Sequence, residues 1–418
     1  VRRLFRTLGA LALAPASLAL AQDTPPELGA PEPGDVGRPG LWRLGPLYVT
    51  PKIRIGTLGL DTNVFYTPTD RQTDFTASGG PGLELVLPMG PARLRVDGSV
   101  DYLYFARTES QRRWGGAGLA GLEWERGRVE AGAGVSFTRT FSRPNFEVDQ
   151  RVLQDQWLYG GDARVRVAGA FSVALRASRL ENDVKEDAEF HGADVRTALS
   201  RDEDLLQAEL IQGLTPKTSL LLGGDYRRER FPLDPTRDAD SNRAYAGFEL
   251  QSLTRLSGRA LGGVRFYRPV FQARGPDFHE PYADIDLAYH FGPRTQLAAR
   301  VLHDLVGSAF EPTSGAPVLK HDVYELSLGK GLPARLDLEL FGRFTRLRSF
   351  APITVVGPSG PQTAVRDDKI WEGGADLGIR FRTHYRLGFG ATYTDRRSTF
   401  DDLGIEGLLL GATLKYLP

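Results

Sequence analysis

The sequence predicts an all-β fold: a transmembrane antiparallel up-and-down β-barrel of about 18 strands (16–18). Three observations predict it. Apolar and charged residues alternate over segments long enough to cross a bilayer. The connections between these segments are alternately short and long. Past the N-terminus there is no apolar run of about 18 residues that could span as a helix. The stretch 91–105 shows the alternation best. Leu94, Val96, Gly98, Val100, Tyr102 and Tyr104 share one face, and Arg93, Arg95, Asp97, Ser99 and Asp101 share the other. Successive strand side chains point to opposite faces, so one face is apolar and the other ionised.

Composition narrows the class. The 418 residues carry 52 Lys+Arg and 52 Asp+Glu, a balance that argues against a nucleic-acid partner. Cysteine is absent, which removes a disulfide framework, a thiolate metal site, a Cys nucleophile and a lipoprotein anchor. Many of the 48 glycines lie inside periodic segments, where an ordinary soluble strand would be weakened. Mean hydropathy is −0.28, which a barrel tolerates because half of its strand residues face water.

The elements follow in order. Residues 1–21 read as a secretory signal peptide: Arg2, Arg3 and Arg6, an apolar run from Ala10, and a small-x-small site at Ala19-Leu20-Ala21. Residues 22–46 hold six prolines and read as a periplasmic N-terminal segment. The barrel is expected over 47–418. Its strands are read at 47–64, 74–88, 91–105, 112–125, 128–141, 154–168, 170–180, 202–214 and 218–231. They continue at 242–254, 256–268, 280–291, 294–306, 319–330, 334–349, 368–382, 384–398 and 405–416. Turns near 89, 126, 169, 216, 255, 293, 332 and 383 take a few residues. The connections at 142–152, 181–200, 229–241, 269–279, 307–318 and 349–367 are longer and are assigned to the outer side.

Energy assigns the faces. One Arg on the lipid side at mid-bilayer costs roughly 2–4 kcal/mol. Several would exceed a protein's whole margin of about 5–15 kcal/mol. Arg93, Arg95, Asp97, Asp101, Arg164, Arg166, Arg259, Arg265, Asp284, Asp286, Asp337, Glu339, Arg343, Asp376 and Arg380 are therefore expected to line a wet lumen. These charges would screen solutes or pair across strands. Aromatics fall near the expected ends. Trp124, Phe171, Phe291, Phe381 and Tyr385 lie on the periplasmic side. Tyr104, Phe137, Trp157, Phe231, Phe266, Phe344 and Phe400 lie on the outer side. The final strand, Gly411 to Tyr416, resembles the C-terminal signal read by the barrel-assembly machinery, although Leu417 and Pro418 follow the aromatic.

Residues 55–87 contain Asp61-Thr-Asn63-Val-Phe65, then Thr73-Asp74-Phe75, then Pro81-Gly82-Leu83. This stretch resembles the first hairpin of the β-barrel porin 2 family of bacterial outer-membrane proteins, which often accompany exopolysaccharide export machinery. The family more often carries two acidic residues before the Asn, where this chain has Leu60-Asp61-Thr62. The resemblance implies an outer-membrane channel, with polysaccharide export proteins among its partners.

Other chemistry is thin. The six histidines, His191, His279, His290, His303, His321 and His384, show no metal-ligand spacing, and no cofactor site is expected. Gly115-Gly116-Ala117-Gly118 lies inside a strand and reads as close backbone approach rather than a phosphate cradle. Arg112-Arg113, Arg227-Arg228 and Arg396-Arg397 lie near outer strand ends, as rim charge or as contacts for lipopolysaccharide phosphates. The expectation is a porin-like channel, not an enzyme, in lipid and lipopolysaccharide surroundings. A docking barrel with a loop-filled lumen and an outer-membrane hydrolase are the alternatives.

Overall fold

The computed structural model describes residues 42–251, 255–271, 275, 277–310, 312–357, 360–381 and 385–416. The expected signal peptide, most of the 22–46 segment and His384 lie outside these residues.

Eighteen long strands, β1 to β18 in chain order, form the wall. They are Leu47–Asp61, Asp74–Met89, Ala92–Phe105, Arg113–Arg126, Val129–Ser142 and Val152–Ala168, then Phe171–Val184, Arg201–Thr215, Thr218–Arg230, Ala239–Leu250, Leu256–Pro269 and Phe278–Gly292. Thr295–Gly307, Val318–Gly331, Leu336–Gly357, Gly360–Phe381, Tyr385–Arg397 and Ile405–Tyr416 complete the set. Each strand pairs antiparallel with its neighbour in sequence, and β18 returns to β1. The sheet closes on itself, so no backbone edge runs the length of the wall. A short strand, Trp42–Leu44, pairs with Leu47–Val49 ahead of the wall.

The eighteen expected strands are all present. The short turns follow from backbone chemistry: Gly90 and Gly127 adopt φ of +66°, a conformation that glycine enters without steric penalty. Gly116 behaves as expected, because a Cβ there would sit 2.6 Å from the Ser99 carbonyl of the neighbouring strand.

The largest departure is at 349–367, expected as a loop. Here β15 and β16 each continue for 22 residues and meet at a Gly357/Gly360 tip. Ile353 and Val355 alternate with Thr354 and Val356, so the strand period persists beyond the ends of the neighbouring strands, past a register shift between Arg348 and Pro352. The extension persists because Ile353 and Val355 have an apolar cluster to bury against.

Candidate functional site: a charged lumen under a packed roof

Facing follows from the alternation. On β3, Val96, Val100 and Tyr104 are exposed on the outside, while Asp101 between them is buried. On β6, Trp157, Tyr159, Val165 and Val167 are exposed outward, which turns Arg164 and Arg166 inward. The same phase holds on β16, where Trp371, Leu377, Ile379 and Phe381 are exposed opposite Asp376 and Arg380. Many of the ionised groups that face outward lie toward the outer strand ends, and several have carboxylate partners there, as Arg179 with Asp202 at 2.8 Å.

Three ion-pair groups line the inner wall. On β1–β4, Arg95 lies 2.7 Å from Glu84, Asp97 bonds Lys52, and Arg93 bonds Glu123. On β8–β13, Arg259 bonds Glu209, and Arg265 donates to Asp304 at 2.7 Å. Tyr282 donates its hydroxyl to Asp284 at 3.3 Å, and Asp286 stands in register with Arg259 and Arg300. On β14–β17, Arg343 donates to Glu325 at 2.7 Å and Glu372 at 3.3 Å. Asp337 accepts from Arg386 at 2.8 Å and Arg380 at 2.9 Å, and Arg386 also bonds Asp376. Glu339 stands in register with Asp376. The alternation singled out one partner in most of these pairs. It missed Lys52, Glu84, Glu123, Glu209, Arg300, Asp304, Glu325, Glu372 and Arg386; of these Glu84, Glu123, Glu372 and Arg386 have a glycine at an adjacent inward position.

The roof is the second half of the site, and no periodicity announced it. The connection 143–151 between β5 and β6 turns tightly: the Asn145 carboxamide oxygen accepts from the N–H groups of Glu147 and Val148, both at 2.9 Å. That turn carries Phe146 onto Leu319, Leu347 and Ile370, inward residues of β14–β16. Those strands stand about half a circumference from β5 and β6, so the loop spans the lumen.

Its carboxylates hold it there. Glu147 accepts from the Ser308 hydroxyl at 2.8 Å, the Ala309 N–H at 2.6 Å and Arg366 at 3.0 Å. Asp149 accepts from Arg396 at 3.1 Å and lies 3.4 Å from Arg143. Arg396 also donates to the carbonyls of Phe146 at 2.7 Å and Leu403 at 2.6 Å. Burial pushes the Glu147 carboxyl above its ordinary value, against the pull of Arg366. Burial does the same to Asp149, against Arg396 and Arg143.

Val148 joins an apolar cluster drawn from five outer connections, with Val195 and Leu199, Phe310, Ile353 and Val355, and Phe400 and Leu403. The 185–200 connection builds its part with a short helix, Val195–Leu199, capped by Asp194 accepting from the Thr197 N–H at 3.1 Å. It reaches the β15–β16 tip, where the Val356 N–H donates to the His191 carbonyl at 2.9 Å.

The resemblance motif sits at the closing seam. Fully buried Asn63 donates to the carbonyls of Thr67 at 2.9 Å and Glu406 at 3.0 Å, tying β1 to β18. Asp61 lies 3.6 Å from Arg151 at the far end of the crossing loop. Asp74 accepts from the Thr108 N–H at 2.7 Å.

Two expectations are corrected here. Arg227 and Arg396 are buried and face inward, Arg227 beside Glu203 at 3.4 Å, so neither is a rim charge. Phe231 and Phe400 are buried in the outer connections rather than in a lipid-facing girdle. The histidines are scattered: His321 is buried beneath Phe146, His303 bonds Asp322, and His290 lies 3.3 Å from Ser257.

The fold and wall define a closed antiparallel barrel with an apolar exterior. Comparison with solved structures finds the same class. The siderophore receptor PirA from Pseudomonas aeruginosa shares it at a TM-score of 0.50 and 10% identity, over 92% of this chain and 81% of that one. A BenF-like porin from Pseudomonas fluorescens Pf-5 matches at TM-score 0.46 and 12% identity, over 88% and 99%. The alcaligin outer-membrane receptor FauA from Bordetella pertussis matches at TM-score 0.42 and 13% identity, over 84% of this chain. The chain spans 61% of the FauA chain. Identities this low speak for fold alone. No family model and no curated protein matches the sequence.

Proposed function

We propose that this chain is an outer-membrane channel of a Gram-negative bacterium, exported with a cleaved signal peptide, whose passage is controlled by the 143–151 crossing loop. One observation carries the reading: around the closed wall, ionised side chains face inward while large apolar ones face out. Acyl chains cover the exterior at no cost, and the inward ion pairs need water or one another. A barrel of 16–18 strands encloses a lumen wide enough for an aqueous path. The crossing loop and roof narrow that path at the outer mouth. Nothing in this reading asks for catalysis.

The resemblance at 55–87 extends the proposal to an envelope polysaccharide as cargo, with polysaccharide export proteins as partners. Insertion would use the barrel-assembly machinery. The packed roof favours a second reading, a docking barrel whose lumen is filled by its loops. Single-channel recording in planar bilayers separates the two. The channel reading expects rare or small openings in the unmodified chain, and large steady ones when 145–149 is replaced by a short Gly-Ser linker. Silence from both proteins, once inserted, supports docking instead.

A further inference from the structure

We propose that the outward face of β15–β17, at its outer rim, binds the phosphate groups of a glycolipid in the surrounding leaflet. This rests on the reading of the chain as a bilayer-spanning barrel. Tyr324, Phe344 and Trp371 stand side by side on β14, β15 and β16. Their rings pack together outward, with centroids of Phe344 and Trp371 4.4 Å apart. Such a ring row suits the border between acyl chains and headgroups. Two residues further out on the same face, Arg346 stands opposite Lys369, and Lys369 opposite Arg397. At about 3.4 Å per residue, the cation row lies about 7 Å above the rings. Arg348 follows on the same face of β15, opposite Asp367.

Charge balance distinguishes this sector. Arg346 is engaged by Asp367 through two bonds of 2.8 and 2.7 Å, and Arg397 lies 3.2 Å from Asp395. Arg348 and Lys369 are exposed, and among the described residues no carboxylate lies within 4.0 Å of either charged group. On β7 and β8 the balance is reversed: Arg179 alone is held by Glu181, Asp202 and Asp204. Two cations in excess, directly above a ring row, fit phosphate esters presented at headgroup depth. Each such ester offers up to two negative charges and three acceptor oxygens, and charge-assisted bonds to Arg and Lys are the strong kind. Asp367 holds Arg346 through both guanidinium bonds beside the pair.

The test uses the full chain in nanodiscs, with bound lipid counted by native mass spectrometry. The probes are bisphosphorylated lipid A, the same lipid with its phosphates removed, phosphatidylcholine and inorganic phosphate. Phosphorylated lipid A is expected to stay bound, with the dephosphorylated form no better held than phosphatidylcholine. In an Arg348→Gln/Lys369→Gln variant its affinity is expected to fall at least tenfold. Both positions are exposed, and the dephosphorylated arm runs on the unmodified protein, so a misfolded variant does not decide the result. Equal retention of both lipid A forms, undiminished binding by a folded variant, or a response to inorganic phosphate without lipid preference overturns the site. Vesicle insertion is scored separately. A chain that never inserts sinks the membrane-spanning reading; one that inserts but ignores the phosphates sinks this site alone.

Discussion

Arg366 is fully buried and serves two carboxylates, Glu147 at 3.0 Å and Asp368 at 2.6 Å. Removing a shared buried cation is worse than removing either anion, because two carboxylates then lose their compensation. Arg366→Met is therefore expected to destabilise the roof by about 3–5 kcal/mol. Glu147→Gln keeps the shape but only one acceptor oxygen: its carboxamide oxygen can accept from the Ala309 N–H while its NH2 donates to the Ser308 hydroxyl, and it is expected to cost less, about 1–2 kcal/mol. Amide exchange at Ala309 reads the difference, since that N–H donates into the Glu147 carboxylate. Equal exchange in the two variants would contradict this ranking. At the seam, Asn63→Ala leaves buried carbonyls of Thr67 and Glu406 without their donor. A loss of about 1–3 kcal/mol is expected in a urea titration of the refolded barrel.

At the scale of elements, the crossing loop behaves as one unit, pinned by Phe146 on the far wall and by two carboxylates. Both carboxyls are raised by burial. Glu147 faces Arg366 and Asp368, while Asp149 faces Arg396, Arg143 and Arg366. The packed loop thus holds protons more tightly than a released loop, where both groups return to the ordinary carboxylate range. Its extra stability is present at and below that range and is lost as the pH rises through the raised values. Openings are expected to become rarer as pH falls from neutral toward the ordinary carboxylate range. A Glu147→Gln/Asp149→Asn variant is expected to lose that dependence. A wild-type channel that opens on acidification would reverse the assigned direction.

The 349–367 region shows why the elements were only partly legible. Its sequence is rich in Pro, Gly and Ser, so it reads as a loop. It is a strand extension because its inner face found apolar partners on other connections. Strand tendency follows the surface available for packing, which lies far away along the chain.

At the scale of the molecule, inward charges of both signs compensate each other, as Asp337 and Asp376 do around Arg386. With the crossing loop removed, the pore is expected to discriminate weakly between cations and anions. Adding Arg386→Gln leaves Asp337 and Asp376 short of a partner facing the lumen. The reversal potential in a salt gradient should then move toward cation preference, and an unmoved potential would place these groups off the conducting path.

The sequence by itself determined the barrel and its strand count. Those properties are local: a period of two residues along 91–105 or 154–168 and an energetic veto on ions in lipid need no knowledge of distant neighbours. Only the tertiary structure decided that the outer mouth is roofed, that Arg396 turns inward to Asp149, and that Phe146 rests on Leu319 and Leu347. Those contacts join residues more than 150 positions apart across an enclosed space, and a short irregular loop carries no repeating pattern to record where its side chains come to rest.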